Sequence, residues 1–382
     1  MERINALNPD RIAWCCADHG ITSDQLAAEC GISPATLQRA MERVNGLTFH
    51  QLQTIAHYFG RGVLFFLEDA PVAVEQVHTP QFRTLANKKP ELSARLRALI
   101  ERTEQHRDLY LSLRERLDEE DFPRYRPPDI AGLSPAQASV VARDWLGLGP
   151  VNTFETYREA VEAHGILVFR SNGYNGKWQI AKESPILGFS IYDETCPVIV
   201  VKKLDWEPRQ SFTLMHELGH ILLHRVSWID DDGDFQSHQG AEREANAFAG
   251  NLLVPNDLLT TIDDAARPGE VALFDDWLEQ QRRAWGVSGE VILRRLMDNG
   301  RLQHAEYEAY RRWRQQTAPR ADDGGNRAWR HREPVHIFGD RYVRAILDSL
   351  GTRSITLTKA STYLDRIKLR DLHQLEGYYA GL

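Results

Sequence analysis

His216-Glu217-Leu218-Gly219-His220 constrains this chain more than any other stretch. Two histidines four residues apart stand on one face of a helix, one turn from each other. Both imidazoles can then reach one Zn²⁺, and the glutamate between them can take the proton of an attacking water. With 14 His among 382 residues, such a match arises by chance in roughly 4 of 100 chains, so its surroundings decide its weight. Phe212, Leu214, Met215, Leu218, Ile221 and Leu222 surround the pair at near-helical spacing, the pattern of a buried helix. Gly219 inside that helix costs about 1 kcal/mol against Ala, which points to a close neighbour there. The bland alternative is a half-buried helix with two satisfied histidines.

A hydrolytic zinc site keeps three protein ligands and one open position, so a third donor is expected further along. Residues 242–253 (Glu-Arg-Glu-Ala-Asn-Ala-Phe-Ala-Gly-Asn-Leu-Leu) form the candidate segment, with an apolar helical face of Ala245, Phe248, Ala249, Leu252 and Leu253 that stops at Pro255. Glu242 and Asn246, at i and i+4, are read as the third ligand and as a side chain that orients a ligand. Glu244, His224 and His238 are the alternatives for the third ligand. His224 follows His220 by four residues, but a straight helix rarely places three such histidines around one metal, so it reads as a packed or surface residue. Glu217 is the catalytic candidate. His224, His238 and Tyr174 are polar residues that could serve an oxyanion.

These residues carry a resemblance. Phe212 to His224, followed by Glu242 to Ala249 and Leu252-Leu253-Val254-Pro255, resemble the ImmA/IrrE family of zinc metallopeptidases. The runs His164–Phe169, Gly188–Tyr192 and Pro197–Val201 are similar to the strands that family places before its zinc helix. The resemblance covers roughly residues 134–265. It implies zinc held by His216, His220 and Glu242, and a regulatory protein as substrate. Lys202-Lys203 departs from the pattern, where a small polar residue such as Asn is expected.

Towards the N-terminus, Thr22 to Arg39 reads as two short helices about a glycine turn. Thr22 or Ser23 caps the first, Gly31 makes the turn, and Ser33 caps the second with Pro34 at its first position. Leu26, Ala27, Ile32 and Leu37 are the expected core. The segment resembles the Cro/C1-type (XRE) helix-turn-helix family, and that resemblance implies base reading by Ser33, Ala35, Thr36, Gln38 and Arg39. Two features oppose DNA contact. Residues 1–70 hold five Lys/Arg against eight Asp/Glu, which gives poor phosphate attraction. Met41-Glu42-Arg43-Val44-Asn45-Gly46 also stands where the family usually has Trp-Glu-x-Gly. A helix-turn-helix used for dimerisation or partner binding is the alternative. The apolar exit Val63–Leu67 is expected to pack on the next domain.

Pro71 to Pro80 reads as a connector, and Phe82-Arg83-Thr84 resembles a short motif of longer family members. Arg95 to Arg116 reads as a charged amphipathic helix with a solvated face. After Pro255, Tyr310–Arg314 and Trp329–Arg332 interleave aromatics with cations; a solvated helix face and a loop are favoured over base stacking there. Ile355 to Leu364 reads as a small helix-turn unit. Net charge is −8 overall, but residues 301–382 carry 15 Lys/Arg against 10 Asp/Glu, +5, which leaves −13 for the rest. No apolar run reaches membrane-spanning length, no signal peptide heads the chain, and Cys15, Cys16, Cys30 and Cys196 lack C-x-x-C spacing. A reducing cytoplasm without membrane attachment is therefore expected.

The expected fold is multi-domain and mostly α. A helix-turn-helix domain (1–70) precedes a linker and amphipathic helix (71–132). A central α+β zincin-like peptidase domain with a small sheet (133–265) and a helical C-terminal region with a basic segment (266–382) follow. Two functions stay open. One is a zinc-dependent endopeptidase-type regulator that cleaves or inactivates a repressor-like protein. The other is a DNA- and partner-binding regulator, antitoxin to a toxin, whose zinc site does not cut; a homodimer fits either.

Overall fold

Short helices with strong caps build the first part of the chain. A computed structural model describes residues 3–4, 6–19, 21–59, 61–72, 92–117, 122–171, 177–231, 233–234, 240–317 and 331–381. They fall into two compact units, residues 1–103 and 104–382. In the first unit β1 (Arg3–Ile4), α1 (Pro9–Asp18), α2 (Ser23–Glu29), α3 (Pro34–Met41), β2 (Leu47–Thr48) and α4 (Phe49–Tyr58) follow one another. Thr22 caps α2 in a reciprocal box with Gln25, and Ser33 accepts from the Thr36 N–H at the start of α3. Gly31, at φ +63°, takes the left-handed turn between them. Leu26, Ala27, Ile32 and Leu37 are buried together with Ile12, Leu52, Ile55 and Phe59. Phe66 of the apolar exit is buried in this same core. The Arg11 guanidinium, distant in sequence, donates to the Phe65 and Ala70 carbonyls and folds the exit back onto α1.

α5 (Ala94–Arg114) is the helix expected from Arg95. Leu96, Leu99, Ile100, Thr103, Arg107, Tyr110 and Leu113 make a buried stripe at helical spacing, so its face is less solvated than its charge suggests. Phe82-Arg83-Thr84 lies outside the described residues.

The second unit wraps helices round a small mixed sheet. α6 (Pro135–Leu146) and α7 (Phe154–Glu162) precede β3 (Leu167–Arg170), β4 (Ile186–Ile191) and β5 (Val198–Val201). α8 (Glu207–Gly219) runs into a π-helical turn, His220–His224, and β6 (Trp228–Asp231) follows. The sheet order is β3-β5-β4-β6, with only β3 and β5 parallel. β3, β4 and β5 are buried along their whole length, which explains their near-continuous apolar composition. Strand β6 was not expected; it is four residues long and, among the described residues, pairs with β4 alone. Lys202 is buried at the end of β5 and donates to the Lys182 and Ser184 carbonyls, which ties down the approach to β4.

α9 (Gly240–Leu253) crosses α8 at Gly219, where an added Cβ would stand 3.2 Å from the Phe248 ring and 3.3 Å from the Ala245 Cα. The close neighbour that Gly219 implied is therefore α9. α10 (Glu279–Trp285), α11 (Gly289–Asp298) and α12 (His304–Gln316) continue the unit. Trp285, Ile292, Leu293, Leu296 and Tyr310 share one core with Leu214, Leu218 and Phe248, so the core runs on past residue 265. The aromatic–cation run of α12 is engaged internally: buried Tyr310 donates to Asp275, and Arg314 pairs with Asp275 and lies over Trp206. Trp329 and Arg330 lie outside the described residues. α13 (Glu333–Gly351) kinks at Gly339 (φ 79°), where a side chain would strike the Glu162 carboxylate. α14 (Leu357–Tyr363) and α15 (Leu369–Tyr379) end the chain. Among the described residues no helix is long and apolar enough to cross a membrane, and all four cysteines are free thiols.

Candidate metal centre

Two periodicities aim side chains at one point. On α8 and the turn that continues it, His216 and His220 are one helical turn apart and wholly buried. On the sheet, Gly188 lies opposite Asp230 and Ser190 opposite Trp228 across the antiparallel β4–β6 pair. Alternation along a strand puts Trp228 and Asp230 on one face and Ile229 on the other, and that first face looks at α8. From the third side, the approach of α9 at Gly219 brings Glu242, in the first turn of α9, to the histidines.

The ligand atoms converge. The Nε2 atoms of His216 and His220 lie 3.1 Å apart. Asp230 Oδ2 is 3.2 Å and 3.4 Å from them, and Glu242 Oε2 is 3.3 Å and 3.7 Å from them. One donor atom from each of the four residues lies within 4.8 Å of every other. Zinc–ligand bonds of about 2.0–2.2 Å in a tetrahedron give donor–donor edges of roughly 3.3–3.6 Å, and the five separations, 3.1 to 3.7 Å, lie within about 0.2 Å of that range. Glu244 and His224, weighed as third ligands, are not in the group among the described residues. His238 and Tyr174 lie outside the described residues.

The charge of the site also suits a cation. Burial opposes a charged His216, but the Asp230 carboxylate and then Glu242 override it and push its pKa up to about 9. Burial raises and the His216 charge lowers the Asp230 pKa, and the net direction is strongly down. Glu242 is likewise held below its usual range, its burial outweighed by hydrogen bonds to His216 and His220. A buried carboxylate, Asp230, and a half-buried one, Glu242, thus demand positive charge between the rings, as buried charges require a partner.

Around this group stand residues that hold it. His220 Nδ1 meets His224 Nδ1 at 3.0 Å, and His224 Nε2 meets Glu244 Oε2 at 3.1 Å. If His220 turns Nε2 to the metal, its Nδ1–H donates to His224, whose own proton then sits on Nε2 and goes to Glu244. Burial lowers the His224 pKa, consistent with the neutral ring this chain of bonds needs. Trp228 stacks on the His220 ring, 4.5 Å between centroids at 7°, and its indole N–H donates to Glu242 Oε1. Glu242 Oε2 is thereby left for the centre. Asn246, expected to orient a ligand, has its amide on the Asp234 carbonyl at 3.2 Å.

Glu217 is wholly buried beside the group. Burial and then the Asp230 charge raise its pKa well above the ordinary value, while the Ser190 hydroxyl opposes this by hydrogen bonding. Its carboxylate needs the missing side chain of Gly188: a Cβ there would stand 2.8 Å from Glu217 Oε1 and 2.7 Å from Thr213 Cγ2. Asp230, Trp228, Ser190 and Gly188 escaped the sequence reading. The signal existed in the alternation of Trp228-Ile229-Asp230, but only pairing with β4 shows where it points.

The base-reading candidates belong to the first unit. Ser33, Ala35, Gln38 and Arg39 are exposed and Thr36 is half-buried. Ser33 and Thr36 hydroxyls meet at 2.7 Å, and the Gln38 amide donates to Glu42.

Residues 161–297 match the family model described as the IrrE N-terminal-like domain, Peptidase_M78. This stretch holds the sheet, the histidine helix, Asp230 and α9, and it supports the ImmA/IrrE resemblance for that part of the chain. The match begins after the resemblance drawn from the motifs and runs beyond it through α11. Comparison with curated proteins finds no match.

Proposed function

We propose that this chain is a zinc-dependent endopeptidase-type regulator that cleaves or inactivates a repressor-like regulatory protein. The observation that carries the reading is the convergence of His216, His220 and Glu242 on one point, with Glu217 buried beside them. Zinc bound there would supply Lewis-acid polarisation and make water acidic near neutral pH. His216, His220 and Glu242 would hold it. Trp228 and the His224–Glu244 pair fix the orientation of Glu242 and His220. Glu217 takes the proton of the attacking water and passes it to the leaving peptide nitrogen. Its raised pKa suits that second step, since a protonated carboxyl is the donor the leaving nitrogen needs.

The test is Glu217→Gln in the full chain, co-expressed with the product of the adjacent gene while the size of that product is followed. The variant is expected to keep zinc and to lose cleavage. Full biological activity in Glu217→Gln sinks the proteolytic reading.

A second reading keeps the same zinc without cutting and assigns the work to the first unit, which binds DNA and a partner such as a toxin. The capped α2–turn–α3 arrangement, with Ala35, Gln38 and Arg39 exposed on α3, favours it. Arg39→Ala is then expected to weaken duplex binding, measured by fluorescence anisotropy against salt. Absence of binding by the parent chain at low salt removes this reading. A homodimer and a cytoplasmic setting belong to both readings.

A further inference from the structure

We propose that Asp230 is a fourth protein ligand of the metal, standing where a hydrolytic water has to stand, so that the site rests closed. The inference rests on the metal-centre reading above and concerns its regulation. Catalytic zinc sites keep three protein ligands and an open position, whereas four protein ligands make a closed site. Here the fourth position is filled from the sheet. Asp230 is wholly buried, and its Oδ2 lies as near the two histidines as the Glu242 oxygen does: 3.2 Å and 3.4 Å against 3.3 Å and 3.7 Å. Glu217 faces the same Asp230 carboxylate. A water acting between the metal and Glu217 has to occupy that space.

The placement of Asp230 also suggests how the site opens. Among the described residues β6 is an edge strand of the sheet, paired with β4, and the register of that pair shifts between Ile186 and Gly188 of β4, directly beside the Asp230 pair. The extra residue, Leu187, stands on β4 opposite the Asp230–Asp231 step; such a bulge locally interrupts the ladder and is a place where a side chain can be re-aimed. His216, His220 and Glu242 come from two packed helices, while Asp230 comes from this edge. A ligand whose withdrawal disturbs one short ladder can act as the removable one.

The full chain reconstituted with Co²⁺ tests this without reference to cleavage. The visible spectrum is followed during azide titration, and water-proton relaxation is measured alongside. Wild type is expected to be inert to azide and to show no exchangeable water. Asp230→Ala and Asp230→Asn are expected to respond to azide, with Co²⁺ affinity lowered at least about 10-fold. An azide response in wild type equal to that of Asp230→Ala overturns the closure, and this measurement stands even if both variants misfold. An azide-responsive wild type with inactive Glu217→Gln leaves the peptidase reading intact and removes the closure. An azide-inert wild type with fully active Glu217→Gln does the reverse. A chain that takes up no Co²⁺ overturns both.

Discussion

α3 of the first unit and the α8–β6–α9 centre of the second treat their polar residues in opposite ways. On α3, Ser33, Gln38 and Arg39 face solvent, and Ser33 and Gln38 make bonds within one or two turns of their own helix. At the centre, His216, Glu217, His220 and Asp230 are wholly buried, the first three on α8 and its continuing turn and the fourth on β6. Exposed, locally bonded groups are cheap to hold and can be replaced singly. Buried groups that share partners stand or fall together, because each one left unpaired costs the full desolvation of its charge. Coupling of this second kind marks a site; an exposed helix face alone does not.

The groups round the histidines give the largest effect by which this contrast can be broken. His224→Phe removes the acceptor for His220 Nδ1 while keeping an aromatic ring, and Trp228→Phe removes the donor to Glu242 Oε1 while keeping a ring on His220. Each is expected to lower metal affinity by about 10–100-fold, measured by competition with a chelator of known affinity. Because the two act on different ligands of one ion, the double variant is expected to show coupling rather than simple addition. Unchanged affinity in both single variants makes the centre no more coupled than the α3 face.

Gly188→Ala comes next. The added methyl meets Glu217 Oε1 at 2.8 Å, Thr213 Cγ2 at 2.7 Å and the Val200 carbonyl at 3.0 Å, and a backbone atom cannot swing aside. Overpacking of this sort costs about 1–3 kcal/mol, read by chemical denaturation. Metal affinity is expected to be affected less than stability, since no ligand contacts the new methyl. Wild-type stability in Gly188→Ala means that the Glu217 carboxylate is not held where it lies.

How much of this could be read beforehand follows from the range of each interaction. The i, i+4 spacing of His216 and His220 is local and survives in any helix, so it was legible. Glu242 was legible because the apolar face of α9 fixes its orientation within a few residues. Asp230 and Trp228 were not, since their direction depends on register with Gly188 and Ser190, 42 and 38 residues away in sequence. A four-residue strand carries too few alternations to declare itself. The i, i+4 step from His220 to His224 was visible, but its role depends on Glu244 on another helix. In the first unit the capping residues and core were legible for the same local reason, while the place of Phe66 in that core was not, because it depends on Arg11, far from it in sequence.

The α3 side is sharpened by a smaller change. Ser33 accepts from the Thr36 N–H at the start of α3, so Ser33→Ala is expected to cost about 1 kcal/mol in the unfolding of the chain. It should leave metal affinity untouched. A change in metal affinity contradicts the separation of local from shared bonding.

The smallest effect lies at the edge of the second unit, where the shared bonding reaches the surface. Arg170 donates to His336 Nδ1 at 3.1 Å and to the His336 carbonyl at 3.3 Å. His336 is itself exposed; the partial desolvation of its ring, and then the Arg170 charge, lower its pKa from 6.5 to about 4, an effect on stability that solvent screening cuts down. A proton on Nδ1 would remove the acceptor that Arg170 uses. Because the folded pKa lies below the unfolded one, the unfolded chain binds the proton first, and stability falls as pH drops from about 6.5 towards 4. His336→Gln keeps an acceptor and cannot titrate. It is therefore expected to flatten that part of the stability–pH curve relative to wild type, with the two converging above pH 7. Parallel curves for the two proteins between pH 4 and 7 mean that His336 bonds as the α3 residues do, within reach of water and without a shared partner to lose.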